Sequence, residues 1–199
     1  AWTKTWTVVH SVMEPALIEA AKDVPAESPA DRMKRLVQES WALVEKDLDA
    51  HGIKFFMRIF TIAPGALQLF SFKDVKDLEK SPELAAHAGT VMRTVGQAVA
   101  GLSDVQSLIP VLQSLGGAHA KYGVQPEHFP IVGEALLWTL EQGLTPYGVW
   151  TSEVKTAWVK TWATVVSVMV PALTSEANRD TPDDSSDRPM RLVQESWAL

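Results

Sequence analysis

Two histidines, His87 and His119, are the residues whose type and spacing suggest chemistry in this sequence. They stand 32 residues apart, near the outer ends of a predicted helix, turn and helix. A neutral imidazole offers a nitrogen lone pair to a transition metal and changes charge near neutral pH. Two imidazoles on helices paired in this way can face each other across a flat group.

The helix that carries His87 has a clear start in the sequence. Ser81 is a good N-cap, Pro82 suits the first helical position, and Glu83 favours the positive end of the helix. The apolar stripe recurs at steps of three and four and includes the histidine: Leu84, His87, Ala88, Val91, Val95, Ala98, Val99 and Leu102. This spacing predicts that His87 points toward a core.

A second helix is predicted after a short turn from Gly101 to Asp104, with Ser103 or Asp104 as its cap. One face of this helix is apolar and ends in the second histidine: Val105, Leu108, Ile109, Leu112, Leu115 and His119. His119 is therefore predicted to face the core from the last turn.

Three kinds of role are open to these histidines. Each could be a core residue whose ring is satisfied by a backbone carbonyl. A zinc or di-iron site needs cysteines or several carboxylates, whereas the sequence has no cysteine and these two faces carry no acidic residue. An iron porphyrin suits two imidazoles with apolar walls better, because the macrocycle supplies four ligands and the protein need supply only one or two.

Four stretches of the sequence, taken in order, resemble a known family. They read LVQESWALVEKDLDAHGIKFFMRIFTIAPGALQLFSF, SPELAAHAGTVM, LIPVLQSLGGAHAKYGV and HFPIVGEALLWTLE. From about Arg35 to Leu173 the chain resembles the globin family, and most closely its neuroglobin-like members, with Pro64, the two histidines and Phe129 in globin order. The resemblance implies an all-α globin fold, a three-on-three helical sandwich, and haem b as the cofactor.

The resemblance also implies individual roles. His119 is the proximal iron ligand, with its other ring nitrogen bonded to a backbone carbonyl in the preceding turn. His87 is the distal residue, which either ligates the iron's sixth position or donates a hydrogen bond to an oxygen ligand; the first is favoured. The implied haem-contacting residues are Phe56, Phe70, Phe72, His87, Val91, Leu115, His119, Val124, His128, Phe129 and Val132.

The haem edge departs from the neuroglobin-like pattern. Thr90 stands where those sequences tend to have a lysine, and Phe72 where they tend to have a tyrosine. His87 follows Phe70 by only 17 positions, fewer than in neuroglobin-like relatives. His128, just before the corner phenylalanine, is a candidate partner for a haem propionate, with an ordinary structural histidine as the alternative.

Composition excludes several classes of function. A net charge of -6 and a pI near 5.4 argue against nucleic acid, because phosphate binding needs clustered lysines and arginines. No apolar run reaches the length of a membrane span, so no membrane partner is expected. With no cysteine and no visible signal peptide, the compartment is open; the cytoplasm is favoured, and an extracellular location requires an upstream signal peptide.

The two ends of the chain repeat each other. AWTKTWTVVHSVMEPAL at 1–17 recurs as AWVKTWATVVSVMVPAL at 157–173, and DRMKRLVQESWAL at 31–43 recurs as DRPMRLVQESWAL at 187–199. Both offsets are 156 residues, and 24 of the 43 aligned positions are identical. A fixed period with a variable middle is typical of tandem domains joined by linkers.

This repeat predicts a domain cut from a longer array, with a duplicated terminal helix or a circular permutation as the alternatives. Residues 1–17 are the last helix of a preceding globin repeat, and 18–30 are a linker. Residues 31–173 are the globin domain, followed by a semi-extended linker at 174–186 and the first-helix start of the next repeat at 187–199. Covalently linked neighbouring globin domains are therefore predicted partners.

The pattern gives approximate bounds for the remaining helices of the domain. They run from Asp31, as a possible cap, to Asp47, from Asp49 to Ala63, from Glu127 to Gly143 and from Val149 to Leu173. A short helix after Pro64 is predicted to end at Phe70.

Two functions from different classes follow from the resemblance. The first is reversible O2 binding for storage or transport, with CO and NO as further ligands. The second is a haem redox enzyme or sensor, such as a nitric oxide dioxygenase or nitrite reductase. The sequence contains no flavin or nicotinamide motif that could deliver electrons, so binding rather than catalysis is favoured and no catalytic residue is assigned.

Overall fold

The computed structural model describes residues 26–179. This part of the chain forms helices and turns without any β-strand, which confirms the predicted all-α class. Its α-helices, in order, are α1 Pro29–Val44, α2 Leu48–Ile62, α3 Pro82–Ala100, α4 Val105–Ala120, α5 His128–Leu144 and α6 Ser152–Arg179. The predicted terminal segments 1–17 and 187–199, most of the linker 18–30 and the end of the linker 174–186 lie outside the described residues.

The caps predicted for the two histidine-bearing helices are confirmed. The Ser81 hydroxyl accepts a hydrogen bond from the N–H of Leu84 at 3.2 Å, with Pro82 in the first turn of α3. The Asp104 carboxylate accepts from the N–H of Ser107 at 3.3 Å and so begins α4. Short polar side chains that satisfy the free N–H groups therefore fix where both helices start.

Helix α1 begins earlier than predicted, at Pro29 instead of Asp31. The hydroxyl of Ser28 accepts a hydrogen bond from the N–H of Asp31 at 3.1 Å and donates to its carboxylate at 2.7 Å. Ser28 is thus the capping residue, and Asp31 occupies the third helical position, where a carboxylate completes such a cap.

Helix α6 is longer than predicted, since it continues past Leu173 to Arg179. The sequence TSEANR contains no proline or glycine, and Arg179 forms an ion pair with Glu176 at 3.2 Å, so nothing stops the helix there. The first six residues of the predicted spacer are therefore helical. By length and composition α6 is the one helix in the described range that could cross a membrane, but five of its residues are buried in the protein: Val154, Ala157, Trp158, Met169 and Leu173.

The helices pack in a definite pattern. Helix α2 packs on α3 and α5, and both α4 and α5 pack on α6; the contact of α4 with α6 is the most extensive between described helices. Helix α1 is tied to α6 through Trp41 and Trp158, whose ring centroids are 5.9 Å apart. Helices α3 and α4 meet mainly through the turn Gly101–Ser103 that joins them, so α4 is positioned by α6.

Apolar side chains form two clusters. The main core includes residues of α1, α2, α3, α5 and the first part of α6, such as Leu84 and Trp158. A second cluster consists of Leu112, Phe129, Met169 and Leu173, with half-buried residues around them. Trp162 packs against both clusters and so links them.

Candidate functional site

His119 lies in the last turn of α4 with a defined ring orientation. Its Nδ1 is 2.7 Å from the backbone oxygen of Leu115, one turn earlier in the same helix. A carbonyl oxygen can only accept, so Nδ1 carries the hydrogen and donates it. The lone pair is then on Nε2, which is the nitrogen that points away from the helix backbone. This is the carbonyl bond that the sequence led us to expect.

The backbone of His119 is fixed as well. The N–H of Val124 donates to the His119 oxygen at 3.3 Å, and the N–H of Gly123 donates to the oxygen of Ala120 at 3.0 Å. Gly123 has φ of 77°, a left-handed conformation that favours glycine. These paired bonds are the usual way in which a helix ends in a glycine, and here they hold the turn that contains the histidine.

His87 is exposed, which corrects the prediction that it points into a core. Its ring nevertheless packs on three phenylalanines, with centroid distances of 5.1 Å to Phe56, 5.4 Å to Phe70 and 6.4 Å to Phe72. The first two rings meet the imidazole edge to face. His87 therefore lies at the rim of an aromatic wall.

The packing of α3 explains this exposure. The helix buries Leu84, Ala88 and Met92, and α2 is the helix against which it packs. His87 lies on a neighbouring side of α3, where its ring meets Phe56 of α2 but stays exposed. Because α4 packs extensively on α6 and makes little contact with α3, it does not cover that side of α3.

An open cleft of about 510 Å³ lies between α3 and α4. Thr94 of α3 lines one side, and Leu115 and Ala118 of α4 line the other. Thr94 is seven residues from His87 and Leu115 is four from His119, so the cleft follows the sides of the helices that carry the histidines. A larger groove of about 640 Å³ lies between α4 and α6, and neither histidine lines this groove or the cleft.

Electrostatics keep His87 neutral. Its partial burial against the aromatic wall lowers its pKa below 6.5, and the positive charge that His119 can carry lowers it further. A neutral imidazole at pH 7 has a lone pair to offer a metal.

The other predicted site residues divide between the two apolar clusters. Those in or against the main core are Phe56, Phe70, Phe72, Val91 and Val132. Those in or against the second cluster are Leu115, Val124 and Phe129. His87 packs on three phenylalanines in or against the main core, and His119 bonds to the carbonyl of Leu115, which packs against the second cluster. This division is what a flat apolar group with one histidine on each side requires.

His128 is an exception among the predicted site residues. It is buried, and its Nδ1 accepts a hydrogen bond from the N–H of Gln125 at 3.2 Å. Burial lowers its pKa, so the ring is neutral near pH 7. The bond from Gln125 supports the structural role, a ring that secures the start of α5, and the propionate role stays a prediction.

Sequence reasoning did not include three residues among those assigned to the site. Trp162 joins the two clusters, Thr94 lines the cleft, and Gly116 lets α4 lie against the backbone of α6 at Met169. The pair of glycines in LQSLGGAHA was a signal for the last of these, because glycine inside a helix is costly unless a close approach needs it.

The donor set fits a haem. Among residues 26–179 no three histidine, aspartate or glutamate side chains cluster, so a metal held there would take at most the two histidines from the protein. His119 presents Nε2 with its tautomer fixed, and both sides of the site are apolar. An iron that brings four ligands in its own macrocycle needs no more than this.

Comparison with known proteins agrees with the geometry. The family model described as globin matches residues 53–169. Neuroglobin of Danio rerio is 35% identical over 147 residues, 72% of this chain and 91% of that protein, and neuroglobin of Tetraodon nigroviridis is 33% identical over the same shares. An anaerobic nitrite reductase of Physcomitrium patens is 34% identical over 143 residues, 69% of this chain and 78% of its own. On the family match and these relatives together, the chain belongs to the globin family.

Proposed function

We propose that this domain holds haem b between α3 and α4 and binds O2 reversibly, for storage or transport. One observation carries the proposal: His119 presents a free Nε2, fixed by the 2.7 Å bond from Nδ1 to Leu115, on the helix opposite His87 and its aromatic wall. When bound, haem b supplies an iron with a position for a diatomic ligand such as O2, CO or NO.

His119 is the proximal ligand in this proposal. Its hydrogen bond to the Leu115 carbonyl stops the ring from rotating and increases electron density on the ligating nitrogen. The apolar side chains of the second cluster exclude water from this side. They also supply the hydrophobic contacts that retain the porphyrin.

His87 is the sixth ligand in the absence of gas. Its ring is neutral, and the surrounding phenylalanines offer no competing polar group. External ligands then bind only those molecules in which His87 has dissociated from the iron. If that fraction is about 1%, the apparent affinity for O2 is about 100-fold weaker than the intrinsic one.

The absorption spectrum of the haem-loaded protein tests this proposal. We expect sharp low-spin bands in the unliganded ferrous wild type and their loss in His87→Leu. The O2 complex should form and dissociate reversibly in both proteins, and faster in the variant. If the wild type is high-spin and binds O2 without competition from His87, the carrier function stands but His87 is not an iron ligand. Failure to take up haem would reject the whole proposal.

A second candidate is reduction of nitrite to nitric oxide, in which one electron and two protons convert nitrite into NO and water. The similarity to a protein named anaerobic nitrite reductase favours it. Anaerobic mixing of the ferrous protein with nitrite separates the candidates. Rapid oxidation with release of one NO per haem supports the enzyme, whereas oxidation far slower than O2 exchange supports the carrier.

We further propose that the domain is one unit of a tandem array. The repeat of 156 residues supports this, and so does the burial of the repeated positions. Every buried residue of 157–173 has an identical counterpart in 1–17: Ala157, Trp158, Met169 and Leu173 match Ala1, Trp2, Met13 and Leu17. The five differences in that stretch fall on exposed or half-buried positions. The repeat therefore retains the residues that are buried in 157–173.

Sequencing the messenger RNA on either side of this segment tests the array. Upstream of Ala1 we expect codons for two histidines 32 residues apart, and downstream of Leu199 the remainder of another domain. A start codon directly before Ala1 and a stop codon directly after Leu199 would contradict the array. The proposed haem site would be unaffected by that result.

A further inference from the structure

The position of α4 is set by where it crosses α6. Helix α4 carries His119, packs extensively on α6, and makes little direct contact with α3. At the crossing, Gly116 lies directly on the backbone of α6. A Cβ built on Gly116 would overlap the carbonyl oxygen of Met169 and would lie only 3.0 Å from its Cα. These neighbours are backbone atoms, which cannot turn aside as a flexible side chain can.

This crossing is one helical turn from the histidine. Gly116 follows Leu115, whose carbonyl accepts the hydrogen bond from His119, and precedes His119 by three residues. Residues three apart lie on adjacent positions of a helix surface. A displacement of the helix at Gly116 is therefore transmitted to the imidazole through a single rigid turn.

We propose that Gly116 is a positioning residue for the proximal histidine, because it allows α4 to rest on the backbone of α6 and so sets the distance of His119 from the iron. The inference rests on the proposed haem role of His119. Any side chain at this position must push α4 outward by on the order of 1 Å, since close-packed backbone cannot yield.

The adjacent glycine provides a matched control. A Cβ on Gly117 would meet only the Cβ and Cγ of Glu176, at 3.8 and 3.9 Å, which is ordinary contact. Gly116→Ala and Gly117→Ala make the same chemical change one residue apart in the same helix. Both gain the same intrinsic helix propensity, so a difference between them reports the contact with α6.

The experiment uses the full chain, loaded with haem, in a His87→Leu background that leaves His119 as the sole protein ligand. The iron–histidine stretching band of the ferrous protein is measured by resonance Raman spectroscopy, together with the rate of CO association. We expect Gly116→Ala to shift the band and to change the CO rate on the order of tenfold, as small misplacements of reacting groups do. Gly117→Ala should leave both unchanged. An unshifted band in Gly116→Ala would overturn the proposal.

A second background separates positioning from general stability. In His119→Gly supplied with free imidazole, the iron ligand is no longer attached to α4. The effect of Gly116→Ala on CO association should then disappear, although any loss of stability would persist. An effect of equal size in this background would overturn the proposal, as would loss of helix content in the haem-free Gly116→Ala protein. If His119→Gly alone kept the wild-type spectrum, the proposed function itself would fail.

Discussion

The buried hydrogen bond that joins the first and last helices supports a quantitative prediction. Trp158 Nε1 donates to the hydroxyl of Ser40 at 2.9 Å, and that hydroxyl donates to the Leu36 carbonyl at 2.7 Å. Ser40 is 0% exposed and Trp158 is 2% exposed, so water cannot replace either partner. Ser40→Ala leaves the indole N–H buried without its partner, which costs about 1–3 kcal/mol. The better helix propensity of alanine returns only a few tenths of a kcal/mol.

Urea unfolding of the haem-free protein, followed by far-UV circular dichroism, measures this cost. The control is Ser167→Ala, also in a helix, where the hydroxyl is exposed and bonds to the carbonyl of Thr164. We expect the control to lie within about 0.5 kcal/mol of wild type. Each kcal/mol lost by Ser40→Ala should lower the melting temperature by about 2–4 °C.

A double-mutant cycle isolates the hydrogen bond itself. Trp158→Phe removes the indole N–H, so in that background Ser40→Ala no longer leaves a buried donor without an acceptor. We expect its cost to fall by about 1 kcal/mol or more. Equal costs in the two backgrounds, or a Ser40→Ala effect no larger than that of Ser167→Ala, would refute the reasoning.

Three further predictions concern the haem-free domain. Burial, and after it the charge of Lys54, lower the pKa of His51 below 6.5, so the unfolded chain binds a proton at this residue more readily than the folded chain does. The unfolding free energy should therefore fall as the pH drops below about 6.5. Urea titrations at several pH values should show a smaller pH dependence for His51→Gln than for the wild type. Gly133→Ala places a Cβ 2.7 Å from Cδ1 of Trp162 and should cost about 1–3 kcal/mol, whereas an unchanged urea midpoint would contradict this packing. Phe56→Ala removes a buried ring and should cost about 3–5 kcal/mol in the same assay, and a loss under 1 kcal/mol would be inconsistent with its burial.

Features that depend on short stretches of chain were predictable from the sequence. The caps at Ser81 and Asp104 follow from residue type and a fixed offset to the next N–H groups. The bond from His119 to Leu115 follows in the same way, because residues four apart in a helix always lie within reach. Each of these contacts is made within one helical turn, so it can be predicted without knowledge of the fold.

Features that depend on how helices meet were not predictable in this way. The apolar stripe placed His87 in the core, yet two sides of α3 carry apolar residues, and only the packing of α2 decides which side is buried. The sequence left His128 open between a haem propionate partner and a structural histidine, and the bond that its Nδ1 accepts from the Gln125 N–H depends on the fold of the turn before α5. The need for glycine at position 116 depends on the helix that crosses α4 there.

The boundaries of α1 and α6 illustrate a third limit. The repeat suggested that the domain ends at Leu173, because identity between the two copies stops there. Helix formation follows local propensity rather than the repeat, and TSEANR continues the helix to Arg179. A boundary in the repeat pattern is therefore not a boundary in the secondary structure.

The central claim is that His119 binds the iron, and one measurement tests it most directly. The visible spectrum of the haem-loaded ferrous protein is compared between wild type and His119→Gly, before and after addition of imidazole. The account predicts that His119→Gly loses the wild-type spectrum and that imidazole restores it, because the free ligand replaces the missing ring. A His119→Gly protein whose spectrum equals that of wild type without imidazole would contradict the account.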